Sequence, residues 1–438
     1  MLDIQFIRDH SDQVKVAAKA KKSDVDIDLL LVKDQEYLSL KKELEELRSL
    51  KNDINSLIQE AKDEAERTEI ITKGKEIKTK IDEAEPKFRE AFEAYEALLL
   101  AVPNVPTEDT PLGEDESGNQ VVRSWGEKPS FAFEPKDHME IGRLLGGIES
   151  ERAAEVSGSR FAYLMGDVAL LQLALVHFVF RILGDKTLLG EIASKAGVTF
   201  VGEAFIPVIP PVFVRPEVLA KMDRLEPRED RYFLEQDNLF LTGSAEHVLG
   251  ALHMDQIFEE SELPRRYAGY ATAFRREAGS YGKDTHGIIR MHQFDKLEME
   301  SFTLSEDGLN EQNLFVAIQE YILQALELPY QAIAVCTGDM GKPDARQIDL
   351  ETWMPGQDRY RETHTSDFMG DYQARRLQTR VRRGNGKIEF VHMNDATAIA
   401  VGRMLVAILE NYQEADGSVR VPKVLQETLG KERIAPKG

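Results

Sequence analysis

The stretch FRREAGSYGKDTHGIIRMHQFDK, Phe274 to Lys296, sets Arg275, Arg276, Glu277, Lys283, Asp284, Arg290 and Lys296 around three glycines, Gly279, Gly282 and Gly287. The runs on either side, YAGYATAFRRE and IIRMHQFDKLEMESFTL, are rich in β-branched and aromatic residues and read as two strands flanking a loop. Period-two alternation puts Arg275 and Glu277 on one face of the first strand. It puts Arg290, His292, Phe294, Lys296 and Glu298 on one face of the second. Glycine lets backbone approach a ligand closely, and arginine forks bind phosphate bidentately, so a phosphate-binding loop is one reading. A surface hairpin laced with solvated ion pairs is the other, and the segment alone does not choose between them. Neither a Walker lysine loop nor a dinucleotide glycine fingerprint occurs in the chain, so an ATP site here is of another kind.

Outward from this hairpin the pattern persists. TFVGEAFIPVIPPVFVR is extended and proline-punctuated, RRLQTRVRRGNGKIEFVHM is a hairpin turning at Asn385-Gly386, and NEQNLFVAIQEYILQAL and AIAVGRMLVAILENYQ are amphipathic helices. Hairpins outnumber strand-helix-strand units, which predicts an α+β domain built on a mainly antiparallel sheet with flanking helices. The N-terminal part differs. From about Leu29 to Leu100 the only proline is Pro86 and the only glycine Gly74, and apolar residues recur at spacings of three and four. Tyr37, Leu40, Leu44, Leu47, Ile54 and Ile58 form one seam, and Ile77, Ile81, Ala84, Phe88, Ala91, Tyr95 and Leu98 the other. Joined by the polar stretch Glu66 to Glu69, they predict an antiparallel coiled-coil hairpin of helices roughly 50 Å long, with a kink at Pro86. A projecting arm and a dimerisation coiled coil both fit. The proline-rich, acidic AVPNVPTEDTPLGEDESGN marks a linker over 103–118, between an arm at 1–102 and a further domain at 119–438.

Composition bounds the chemistry. The chain has 438 residues, 42% of them hydrophobic, and carries 55 Lys+Arg against 77 Asp+Glu, a formal net charge of -22. That balance excludes a generic DNA coat or an anionic-membrane binder, so a phosphate-bearing partner must be met by local basic clusters. One cysteine, Cys336, excludes a disulfide framework and points to a reducing, cytoplasmic location. No secretory leader and no window of ~18 apolar residues is expected.

Further candidates sit elsewhere. FLTGSAEHVLG places Ser244 two residues from Glu246, a small donor beside a carboxylate or simply a helix cap. DLETWMPGQDRYRETHT carries Glu351, Glu362, His364 and Thr365, and a carboxylate with a hydroxyl suits Mg²⁺ completed by substrate phosphates. His292 and His364 lack the paired spacing of a zinc site. Arg403, near the start of an apolar helix, requires a negative partner.

Taken together these segments resemble the class II aminoacyl-tRNA synthetases, in the form typical of seryl-tRNA synthetases. Phe274 to Met299 resembles their second signature motif, AVGRMLVAILEN the third, and FIPVIPPVFV the first, which in that class helps build a homodimer interface. CTGDMG, DLETWMPGQ and QARR occur in the family's order, and the helical hairpin followed by LLLAVPNVP is similar to its tRNA-binding arm and linker. The resemblance implies activation of L-serine by ATP and Mg²⁺, then transfer to tRNA(Ser) and also tRNA(Sec). It implies that Arg275 contacts the α-phosphate and the serine carboxylate, Glu277 the adenine, and Arg403 the γ-phosphate. Ser244, Ala245, Glu246, Glu298 and Thr397 would line the serine pocket. Arg276, Met291, Thr363 and His364 would join the ATP site, and Glu362 and Thr365 would hold the metal. The chain departs from the family's pattern at Gly243-Ser244-Ala245-Glu246, at Glu362-Thr363-His364-Thr365 and at MNDATAIA, and AKMDRLEPREDRYF replaces a stretch expected after the first motif. The alternatives are a ligase serving a non-tRNA carrier, which the full-length arm opposes, and an inactive paralogue or scaffold, which Arg275, Glu277, Glu298, Glu362 and Arg403 oppose.

Overall fold

The computed structural model describes residues 1–278 and 287–437, so Gly279, Gly282, Lys283 and Asp284 of the expected loop lie outside the described residues. The chain divides into two compact units, Met1–Val105 and Pro106–Gly438.

In the first unit, helices α1 (Ile27–Glu60) and α2 (Glu64–Ala101) pair side by side. Each begins at an aspartate whose carboxylate accepts from a backbone N–H that the helix leaves free: Asp26 from Leu29 and Asp63 from Glu66. Glu66 in turn accepts from the Lys62 N–H, and this capping starts α2 earlier than the polarity of Glu66 to Glu69 suggests. Leu44, Ile81 and Ala84 form the buried seam, flanked by Leu47, Ile77 and Phe88, and Tyr37 stacks on Tyr95 with centroids 5.0 Å apart. The second helix continues through Pro86 without a break in its assignment.

The second unit is built on an eight-stranded sheet. Its strands are β1 (Gln120–Trp125), β2 (Ile206–Val208), β3 (Arg265–Phe274), β4 (Gln293–Thr303), β5 (Tyr330–Ala334), β6 (Arg346–Met354), β7 (Arg359–Gly370) and β8 (His392–Ala400). They lie in the order β1-β5-β6-β7-β8-β4-β3-β2, antiparallel throughout except for the parallel β2–β3 pair. Helices α3 (Gly166–Gly184), α4 (Gly308–Ala325) and α5 (Val401–Asn411) cover the sheet and share one large apolar core with it. The expected α+β architecture is therefore present. Two expectations need correction. Residues 106–118 belong to the second unit and are tied into it: Thr107 N–H donates to Ala345 O, and Asn119 Oδ1 accepts from the Cys336 N–H. And α3 is long and apolar enough to cross a membrane by length and composition, although Val168, Leu171, Leu175, Val179 and Ile182 pack into the core.

Two buried glutamines on α4 fasten the centre of the sheet. Gln312 donates to the carbonyls of Arg346 and Ser366, and Gln319 to those of Thr365 and Thr397, at 2.7 and 2.9 Å. Each amide thus bridges two strands, and the partners of Gln319, Thr365 and Thr397, line the pocket described next.

Candidate active site

Two β-bulges decide which side chains meet. In the β6–β7 ladder Leu350 faces His364 while the next residue, Glu351, faces Glu362, so Thr363 is the extra residue. Without it, Glu362 and Thr365, three positions apart, would point to opposite faces; with it, both line one pocket. In the β4–β8 ladder Leu297 faces Ile399 and Glu298 faces Thr397, leaving Ala398 as the extra residue and bringing Thr397 beside Glu298.

The pocket encloses about 290 Å³. At one end, behind Lys296, which lines the pocket, Ser244 Oγ donates to Glu298 Oε1 at 2.5 Å and the Lys296 ammonium pairs with the same carboxylate; Ser244 and Glu298 themselves do not line it. Glu298 is 1% exposed, so its charge is balanced only within this cluster. Glu246, which opens a short helix, accepts from Arg224 Nε at 2.7 Å. Burial alone would raise the Glu246 pKa, but Arg224, then His247, Lys296 and Arg275, outweigh it and hold the carboxyl well below the usual range. Behind these groups Glu300, Asp395 and Asp367 stand opposite one another on β4, β8 and β7. Burial, reinforced by neighbouring carboxylates, pushes all three upward, and Arg224 Nη2 lies 3.5 Å from Asp395 and 3.8 Å from Asp344. This end suits a small ligand bearing an ammonium and a hydroxyl.

The other end suits phosphate. Arg275 follows β3, donates from Nε to Gly243 O at 3.0 Å, and lies over the Phe294 ring at 5.4 Å. Arg403, in the first turn of α5, donates from Nη1 to Glu362 Oε1 at 2.9 Å and to Glu362 O at 2.8 Å, which is the negative partner that an arginine on this helix requires. Asp349, on the same face as Glu362 and Thr365, has its pKa pushed up to about 8 by burial and by the Glu362 charge. Carboxylates crowded in this way, beside the Thr365 hydroxyl, fit a divalent cation, though no group of three or more His, Cys, Asp or Glu with metal geometry occurs among the described residues. The donor set matches a magnesium ion that keeps waters and takes substrate phosphates.

Some expected residues are placed differently. Glu277 has left the strand, with φ +53°, and its carboxylate accepts from Arg290 Nη1 at 2.7 Å within the pocket. Arg290 and His292 precede β4, which starts at Gln293, and His292 Nδ1 lies 3.0 Å from Arg275 O. Arg276 stacks on Tyr232 at 4.5 Å rather than lining the pocket. Ala245 is fully buried in a second apolar cluster. His364 turns toward the core because the bulge restarts the alternation at Thr363. It is fully buried, its Nδ1 lies 2.9 Å from Thr363 Oγ1, and burial pulls its pKa down to about 3. Met291, Thr363, Thr365 and Thr397 line the pocket. Sequence reasoning singled out neither Arg224 and Arg231, within AKMDRLEPREDRYF, nor Gln319, within the amphipathic helix NEQNLFVAIQEYILQAL. A larger cleft of about 610 Å³ lies beside β1, but Arg123 there pairs with Glu320 and Arg346 with Asp109, so it presents satisfied charges.

Comparison with known proteins identifies the family. Residues 1–106 match the seryl-tRNA synthetase N-terminal domain, and residues 232–412 match the tRNA synthetase class II core domain (G, H, P, S and T). The chain is 40% identical over 433 residues to a serine–tRNA ligase of Deinococcus radiodurans, covering 98% of each protein. It is 41% identical over 440 residues to that of Thermotoga neapolitana, covering 99% of this chain and all of the relative. Among solved structures it superposes over its full length on seryl-tRNA synthetase from Pyrococcus horikoshii complexed with ATP, with a TM-score of 0.88 at 35% identity and complete coverage of both chains.

Proposed function

The chain belongs to the seryl-tRNA synthetases, and on that premise we propose a residue-level mechanism for its activity as an ATP-dependent serine–tRNA ligase. The observation that carries the reading is one pocket that holds arginines suited to phosphate and, directly behind its Lys296, a buried carboxylate–hydroxyl cluster suited to an amino acid.

Glu246 and Glu298 accept from the serine ammonium and hydroxyl, with Ser244 and Thr397 completing the wall. Arg275 holds the serine carboxylate against the α-phosphate of ATP. The carboxylate oxygen attacks the α-phosphorus in line, the bond to the β-phosphate oxygen breaks, and pyrophosphate leaves with that electron pair. Arg403 exchanges Glu362 for the outer phosphates and stabilises the departing charge. Glu362 and Thr365, with Asp349 nearby, hold Mg²⁺, which when bound neutralises phosphate charge. In the second step a terminal ribose hydroxyl of tRNA attacks the carbonyl carbon of seryl-adenylate, the bond from that carbon to the phosphate oxygen breaks, and AMP leaves with the electron pair while the hydroxyl proton passes to its phosphate. No enzyme nucleophile is needed, since positioning and charge neutralisation carry both steps.

The helical hairpin is the tRNA(Ser)-binding element, reading shape and backbone, and the same mode extends to tRNA(Sec). The protein acts as a homodimer: Leu170 and Leu173 on α3 and Ile206 and Ile209 at edge strand β2 are exposed apolar residues, as the resemblance to the first motif requires. Its place is the cytoplasm, with the translation machinery. ATP–pyrophosphate exchange against a panel of amino acids tests the reading: serine alone should support exchange, and equal exchange with several amino acids, or with none, would reject it.

A further inference from the structure

Arg231 lies in the segment that departs from the family's pattern, and its guanidinium lines the pocket. Nε is buried without a hydrogen-bond partner, and no ion pair forms on this side chain among the described residues. The neighbouring carboxylates are engaged elsewhere: Glu246 with Arg224 at 2.7 Å, and Asp230 with the Ala278 N–H at 3.1 Å. Its backbone is tied in place, and its guanidinium lies against Gly243. The Arg231 carbonyl accepts from Arg276 Nε at 3.0 Å, and a Cβ placed on Gly243 would lie 2.5 Å from Arg231 Nη1. Arg275 donates to the carbonyl of that same Gly243, so two guanidiniums flank one glycine. Only glycine leaves room for this arrangement. Burial, then the Arg275 charge, lowers the Arg231 pKa and outweighs the opposing charges of Asp230 and Glu246.

A half-buried, unpaired guanidinium beside a second one costs free energy unless an anion completes it, and planar forks suit oxyanions bidentately. We propose that Arg231 is a second anion-binding residue of the active site, which grips with Arg275 the oxyanion where the serine carboxylate meets the α-phosphate. The proposal rests on the functional reading above and adds a contact to it.

The test compares the wild type with Arg231→Met, Arg231→Lys and Gly243→Ala. It measures the KM for serine and for ATP in pyrophosphate exchange, the affinity of a non-hydrolysable seryl-adenylate analogue by calorimetry, and Tm. Arg231→Met should weaken the analogue and raise at least one KM about tenfold to a hundredfold, without lowering Tm. Arg231→Lys should recover part of the loss, and Gly243→Ala should reproduce it by displacing the guanidinium. A rise confined to serine assigns the contact to the carboxylate, and one confined to ATP assigns it to the phosphate. Unchanged KM values and analogue affinity in Arg231→Met would overturn the proposal, whether or not kcat or Tm falls. If the wild type shows no serine-dependent exchange, the functional reading fails instead, and the analogue titration still decides the role of Arg231.

Discussion

Glu298 concentrates the residue-scale argument. It is buried, it accepts from Ser244, and it pairs with Lys296, so its charge is held where a small ammonium and hydroxyl compound would meet it. Replacing it with alanine removes a charge-assisted acceptor, typically ~1.5 to 3 kcal/mol, and leaves Lys296 without its carboxylate. Glu298→Ala should therefore raise the KM for serine by roughly ten- to a hundredfold while the KM for ATP changes little. Steady-state exchange kinetics with each substrate varied in turn would show the split; comparable rises in both constants would remove Glu298 from amino-acid selection. The neighbouring carboxylates show why residue type alone is a weak guide. Glu246 stays ionised because Arg224 and other cations overcome its burial, whereas Glu300, more deeply buried and facing carboxylates, is pushed toward the neutral form.

At the scale of elements, the site depends on strands set in register from behind. Gln319 reaches from α4 to the carbonyls of Thr365 on β7 and Thr397 on β8, the strands that carry the proposed metal-binding and serine-binding residues. Gln319→Leu keeps the volume nearly constant but deprives two buried carbonyls of their donor, a loss of about 2 to 4 kcal/mol. Tm should fall by several degrees, and the KM for serine should rise even though Gln319 touches no substrate. A Tm fall with unaltered kinetics would make the clamp purely structural. Strand alternation is legible in QFDKLEMESFTL, and so are the helical seams of the arm. The extra residues Thr363 and Ala398 are not, because a bulge is defined by how one strand pairs with another distant in sequence.

At the scale of the whole molecule, the chain separates the arm from the sheet-built unit at Val105/Pro106. All the residues assigned here to ATP and serine lie beyond residue 240 or, for Arg224 and Arg231, just before it. Deleting residues 30–100 should therefore leave serine-dependent pyrophosphate exchange within about threefold of the wild type while abolishing tRNA charging, since binding energy for the tRNA is lost without disturbing the first step. Parallel loss of both activities would mean that the arm is not a separable tRNA module.

The sequence by itself determined the helical hairpin and the antiparallel hairpins, because periodicity is a local property, and through the family resemblance it singled out Arg275, Glu298, Glu362 and Arg403 as candidates. Only the tertiary structure decided that Thr365 faces the pocket while His364 faces the core, that Gln319 holds two strands, and that Arg224 is paired where Arg231 is not. The reason is physical. Face selection across a bulge and the balance of buried charge depend on partners tens to hundreds of residues away, and no local pattern records which of them arrive.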